Sequence, residues 1–362
     1  MLQTIQVGRG LAAFAVAAFH LSIGLADPRY LGYPVFESIT WRGNLGVDFF
    51  FVLSGFIMML VHHNDIGRPE RWRAFALKRA IRVYPIYWLY TLGFCLLVAF
   101  NFGTVTRLPA VASDWISVVT LVRFSSVQPP LSPAWTLFHE IAFYAVFSLL
   151  LLNRRIGAAA LAAWMLVAII LFQYAAPTER TPLATLFSAY NLDFVVGMAA
   201  FAVLARLKVW SAAVLVGIGA ALIAVCMSLE ARGSVFVGFP LLYAIGFGCI
   251  LSAMVFFEKR REKKLGDVPV VTLLGNASYS IYLTHEALEG LFMKLVLRAR
   301  SMVPLTDGIV YGAILVATII GGCFAYLLVE RPLLSFLHER LGRARRSSSR
   351  WSPAAVQKGP AE

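Results

Sequence analysis

GNLGVDFFFVLSGFIMMLVH, residues 43–62, is an apolar run of twenty residues interrupted by one carboxylate, Asp48, and by no lysine or arginine. The hydrocarbon core of a bilayer takes about 20 apolar residues of helix to cross. A helix also satisfies its own backbone hydrogen bonds, so the stretch reads as a spanning helix. Blocks of the same kind recur at roughly 4–25, 82–101, 133–152, 156–175, 184–205, 210–229, 236–257, 271–297 and 307–329, which makes ten. None shows the strict alternation of a barrel strand. The stretch 111–124 is apolar but short, and is expected to be an interfacial or re-entrant piece. Over all 362 residues, 59% are hydrophobic and 14% charged, against about 25% charged in globular domains, which excludes a single soluble domain. The expected fold is all-α: a polytopic membrane protein with about ten transmembrane helices in one bundle (residues 1–335), the first of them retained rather than cleaved. A basic, Ser/Pro-rich tail (336–362) is expected to be disordered and to touch anionic lipid headgroups.

The net charge of +13 would suggest nucleic acid in a soluble protein. Here the basic residues sit in loops and at segment ends, so no nucleic-acid partner is expected. Loops after the second, fourth, sixth and eighth helices, with the tail, hold 22 Lys and Arg; the opposite side holds 9, and Arg9 lies within the first helix. By the positive-inside rule both termini are cytoplasmic. Cys95, Cys226, Cys249 and Cys323 all fall inside apolar blocks without paired spacing, and read as small buried hydrophobes.

Ionisable side chains at bilayer depth are costly and are functional candidates by default. They are Arg9, His20, Asp48, His139, Glu140, Asp193, His285, Glu286 and Glu289. Eleven helical residues turn through about 1100° and rise about 16 Å, so His20 lies on the same face as Arg9 but deeper. Asp48, Glu140 and Asp193 fall on the order of 8, 10 and 13 Å below the far surface, and His285 at a similar depth. The acids and histidines thus gather in the outer half and the arginines in the cytoplasmic half. An anionic donor would dock at the arginines, and a general base would wait deeper. His20 is the natural base, with Glu140 to orient it. Bland readings stand beside these. His20 and His285 are candidate packing histidines, Asp48 a candidate structural pair, and Glu140 a partner for Tyr144 one turn on. Tyr84-Pro85 is expected to break the helix entrance, and Glu330-Arg331-Pro332 reads as a helix stop. Tyr87, Trp88, Trp135 and Trp210 read as an interfacial belt.

Several blocks are recognisable in order: Arg9 and His20 with ten residues between them, GVDFFFVLSGFIM (46–58), KRAIRVYPIYW with Arg79 and Arg82, AWTLFHEIAFY (134–144), NASYSIYLTHEAL (276–288) and VERPL (329–333). In these the chain resembles the acyltransferase family 3 membrane proteins, bacterial O-acyltransferases of surface and exported glycans, and most of all their exopolysaccharide O-acetyltransferase branch. The resemblance implies a multi-pass protein of the bacterial inner membrane. It implies acyl-coenzyme A, most simply acetyl-coenzyme A, as donor substrate, with no permanently bound cofactor and no metal. Arg79 and Arg82 would hold the donor phosphates, Arg9 would support them, and His20 would be catalytic. Asp48, Asp193 and His285 are residues of the site or of its frame. The acceptor would be a glycan or lipid-linked glycan precursor, with polysaccharide biosynthesis or export machinery as partner. The rival readings are a transporter or flippase of glycan or lipid intermediates, since helices with midplane charges also describe carriers, and a non-catalytic assembly subunit.

Overall fold

The computed structural model describes residues 2–100, 108–171, 181–261, 268–300 and 303–349. Arg107, Arg180, Lys263 and Lys264, counted for topology, and the tail from residue 350 lie outside the described residues. The described residues are helical and contain no strand. The long helices are α1 (Gln3–Leu25), α2 (Leu45–His62), α3 (Trp72–Ala99), α4 (Trp135–Leu152), α5 (Arg154–Leu171), α6 (Tyr190–Leu204), α7 (Val209–Ala231), α8 (Phe239–Arg260), α9 (Pro269–Arg300) and α10 (Asp307–Ala325). A π-turn (Tyr326–Glu330) then leads into α11 (Arg331–Ser349). Among the described residues nine helices are long and apolar enough to cross a membrane. The tenth expected span, α9, has 32 residues and is the most polar of the set, because it carries buried His285 and Glu289, half-buried Glu286, and Lys294, Arg298 and Arg300 towards its end.

Successive helices alternate in direction. The Glu258 carboxylate at the end of α8 accepts from the backbone N–H groups of Gln3 (2.6 Å) and Thr4 (2.8 Å), filling the open donors of the first turn of α1. Beside it, Gly67 N–H donates to the Leu150 carbonyl near the end of α4 (2.9 Å). These contacts define an amino-terminal face. At the opposite face, Tyr33 donates to Asp307 and Arg42 pairs with Glu230, whose carboxylate also takes the hydroxyl of Tyr243. α1 and α9 run parallel; α10 returns beside them, with Tyr311 donating to the Ala18 carbonyl (2.7 Å). α2 and α6 touch backbone to backbone. A Cβ added at Gly55 would strike the Phe194 carbonyl, and one at Gly197 the Val52 carbonyl. The core around them is aromatic, with Phe143 stacked on Phe194 at 4.2 Å.

Four expectations are corrected. α3 begins at Trp72 rather than residue 82, so Arg79 and Arg82 lie within a helix. Pro85 also lies inside it and does not break the entrance, since the surrounding turns carry the helix past the missing N–H. Tyr87 and Trp88 are more than a belt. The stretch 111–124 forms a short helix (Ala112–Thr120) whose last carbonyls accept from Tyr87 (Val118, 2.8 Å), Trp88 (Val119, 2.9 Å) and Tyr84 (Thr120, 2.7 Å). The segment from 336 to 349, expected to be disordered, continues α11 as a helix.

Candidate active site

A cavity of about 530 Å³ opens among α1, α2, α3, α4, α9 and the π-turn. Arg9, Arg79, Arg82 and Arg331 line it, with Glu140 and Glu330 as its carboxylates. The basic excess inside a low-dielectric wall favours an anion. The expected donor residues are therefore brought together from two helices: Arg9 from α1, and Arg79 and Arg82 from successive turns of α3.

Each arginine is held differently. Arg9 donates from Nε to Ser278 Oγ on α9 (3.0 Å). Arg82 donates to Glu330 Oε1 (2.8 Å) and lies over the Tyr279 ring (5.3 Å). Glu330 is fully buried; its other oxygen accepts from Ser280 (2.6 Å), which in turn is bonded to the Tyr90 hydroxyl (2.7 Å). Arg79 donates from Nη2 to His62 Nε2 (3.1 Å), and His62 Nδ1 donates to Asp65 (2.9 Å). The carboxylate thus sets the tautomer of His62, leaving Nε2 to accept from the guanidinium. Arg79 also covers the Tyr144 ring at 5.5 Å, and its Nε has no hydrogen-bond partner in the protein.

The structure corrects the expectation that Glu330 belongs to a helix stop. Pro332 cannot donate back along the chain, and the turn before it widens into a π-turn instead of ending the helix. The widened turn directs Glu330 inward to Arg82 and Ser280. Glu140 lines the same cavity, where it accepts from the Tyr144 hydroxyl.

His20 does not line this cavity, and Glu140 does not orient it. Its carboxylate neighbour is Glu286 on α9, with Nδ1 3.7 Å from Oε1. The His285 ring is 5.1 Å from that of His20, and the Tyr282 ring, which does line the cavity, is 5.8 Å from that of His285. The order inward from the arginines is thus Tyr282, His285, His20. Arg9 and His20 both meet α9, as their shared face required. Asp48 and Asp193 are buried in the first turns of α2 and α6 and do not line the cavity. Among the described residues neither is ion-paired, and both carboxylate oxygens of Asp193 are buried without hydrogen-bond partners. His139 is a packing residue: it donates to Asn191 (3.2 Å) amid the rings of Phe51, Trp135 and Tyr190.

Sequence reasoning did not single out Glu286, Glu330, Ser278, Tyr279, Tyr282 or His62 for these contacts. The first five lie in the two late blocks, 276–288 and 329–333, whose content was visible without its partners.

The model of the acyltransferase domain family (Acyl_transf_3) matches residues 2–328. The exopolysaccharide production protein ExoZ of Rhizobium meliloti (strain 1021) is 28% identical over 316 residues, which is 84% of this chain and 92% of that protein. Acyltransferase MdmB of Streptomyces mycarofaciens is 26% identical over 370 aligned positions, covering 92% of this chain and 91% of that protein. No solved structure matches the chain. A match over nearly the whole helical bundle, with two relatives spanned along most of their length, means that the chain belongs to the acyltransferase domain family.

Proposed function

We propose that the protein transfers an acyl group, most simply acetyl, from acyl-coenzyme A to a hydroxyl of an exopolysaccharide or of its lipid-linked precursor. It works in the bacterial inner membrane with both termini cytoplasmic. The observation that carries this reading is the convergence of Arg9, Arg79 and Arg82 on one cavity whose inner wall, Tyr282, leads by way of His285 to His20. Guanidinium forks suit phosphates. Arg79, Arg82 and Arg331 of the cavity lining lie towards the amino-terminal face, which the positive-inside rule assigns to the cytoplasm. The pantetheine arm then runs inward with the thioester at its end.

His20 takes the proton of the acceptor hydroxyl as its oxygen attacks the thioester carbon. The tetrahedral intermediate collapses, the carbon–sulfur bond breaks, and the imidazolium returns the proton to the departing thiolate. Glu286, at ion-pair range, favours the imidazolium and holds the ring in place. Glu140 serves in the donor cavity, fixing Tyr144 beneath Arg79. The glycan acceptor of the proposal rests on the earlier resemblance and on the printed role of ExoZ.

The test is transfer of labelled acetyl from acetyl-coenzyme A to candidate glycans by the purified protein in detergent. Transfer is expected from wild type and lost in His20→Ala. Transfer that survives the His20 change overturns the mechanism; acceptor flux in vesicles without any transfer overturns the function.

A further inference from the structure

We propose that His20, His285 and Glu286 form a binding site for a divalent transition-metal ion of the zinc class, and that occupancy of this site silences His20 as a base. Residue types and spacing along the chain gave no sign of it, because the two histidines lie on helices at opposite ends of the sequence. In the folded chain one ligand atom from each of the three residues lies within 4.8 Å of the others. The His20 Nδ1 to Glu286 Oε1 separation is already 3.7 Å. The edge of a tetrahedral zinc site is about 3.3 Å, from metal–ligand bonds of about 2.0–2.1 Å. Side-chain rotation of the order of 1 Å closes the set.

Three features point to a metal rather than to mere proximity. First, His285 is 1% exposed and its Nδ1 donates to the Tyr282 carbonyl (2.6 Å). That places the lone pair on Nε2, and it is the backing that metal-bound histidines usually have. Second, this Nε2 is buried and has no hydrogen-bond partner in the protein. A buried acceptor left open in a packed bundle calls for a ligand. Third, the side chains of His20 and Glu286 are 36% and 34% exposed, so an ion can reach the cluster without passing the arginines. Two imidazoles and one carboxylate form a donor set that suits zinc and the neighbouring transition metals. Magnesium and calcium prefer all-oxygen shells.

The consequence for the chemistry follows from the ligand. A neutral imidazole has one lone pair; given to a metal, it is not available to an acceptor proton. The site would therefore make the enzyme sensitive to zinc at the compartment from which His20 is reached. It is separate from the arginine cavity, whose positive charge disfavours cations.

The test measures metal directly, so it stands or falls apart from the acyl-transfer mechanism. Purified full-length protein in detergent is loaded with zinc, dialysed against metal-free buffer and its metal content determined. One zinc per chain is expected for wild type, with at least a fivefold loss in His285→Asn and in Glu286→Gln and no change in His63→Ala, which alters an exposed histidine. His285→Asn keeps an N–H for the Tyr282 carbonyl while removing Nε2, so it tests the ligand without unfolding the helix pair. X-ray absorption of the bound zinc should report two imidazole nitrogens. In the transfer assay, zinc should inhibit wild type and a chelator should restore it. Wild type that retains no more zinc than His285→Asn overturns the proposal, as does zinc held equally by every variant.

Discussion

The arginine cavity and the His20 cluster lie along the same two helices, α1 and α9, and are built in opposite ways. In the cavity, Arg82 is tied to Glu330, Ser280 and Tyr90, and Arg79 to His62 and through it to Asp65, by hydrogen bonds of 2.6–3.1 Å, all but the last of which cross between elements. At the cluster, His20 and Glu286 stand 3.7 Å apart and His285 keeps an open nitrogen. A site that must recognise a fixed polyanion gains from donors locked before the ligand arrives. A group that must give and take a proton gains from the reverse, a lone pair that nothing else holds. The membrane sharpens the contrast, since an unpaired guanidinium at depth is far more costly than a neutral imidazole.

The contrast predicts graded effects. Removing the base should matter most. His20→Ala should lower transfer by about 10³-fold, within the range attributed to general base catalysis, while labelled acetyl-coenzyme A still binds. Loss of donor binding in that variant would merge the two regions into one. Arg82→Ala should weaken donor binding and also destabilise the protein by about 3 kcal/mol, because Glu330 is left buried and uncompensated. Adding Glu330→Gln should restore the thermal midpoint without restoring binding. Recovery of both would mean that Arg82 serves structure alone.

Glu286→Gln should reduce kcat by about tenfold and leave the donor KM unchanged, as expected of a group that acts through His20. A rise in donor KM would place it in the cavity's function instead. The smallest effect belongs to His62→Ala. It frees the Arg79 guanidinium and should raise the donor KM a few-fold at constant kcat, measured by steady-state kinetics. An unchanged KM would remove Arg79 from the donor site.

Much of this was legible in the residues. The twenty-residue apolar blocks name the helices, because without the alternation of barrel strands a helix is the element that buries its backbone in lipid. The eleven-residue step from Arg9 to His20 places both on one face of α1, the face that packs on α9. What the sequence hid is of two kinds. Long-range pairing is one: nothing local ties His20 to Glu286, and Glu140, at comparable depth, is the carboxylate the sequence offers for it. The other is polar helix. From Trp72 to Arg82 the composition reads as loop, yet the segment is helical because Phe75 is buried in the aromatic core and His62 and Tyr144 meet Arg79. The π-turn was hidden by Pro332, whose usual meaning is an ending. The polarity of α9 hid nothing of its position, but it does explain why its hydropathy is the weakest of the ten.

The carboxylate of Glu258 grips the first turn of α1 and pins the start of that helix to the end of α8. One uninterrupted rod then carries Arg9 at one station and His20 at another, so in the proposed reaction α1 is the gauge between phosphate and thioester. A single residue inserted between the two stations would advance the second by about 1.5 Å and swing it through about 100°. In the proposed reaction a chain gauged in this way takes the length of coenzyme A's arm as a specification, whatever acyl group rides at its tip.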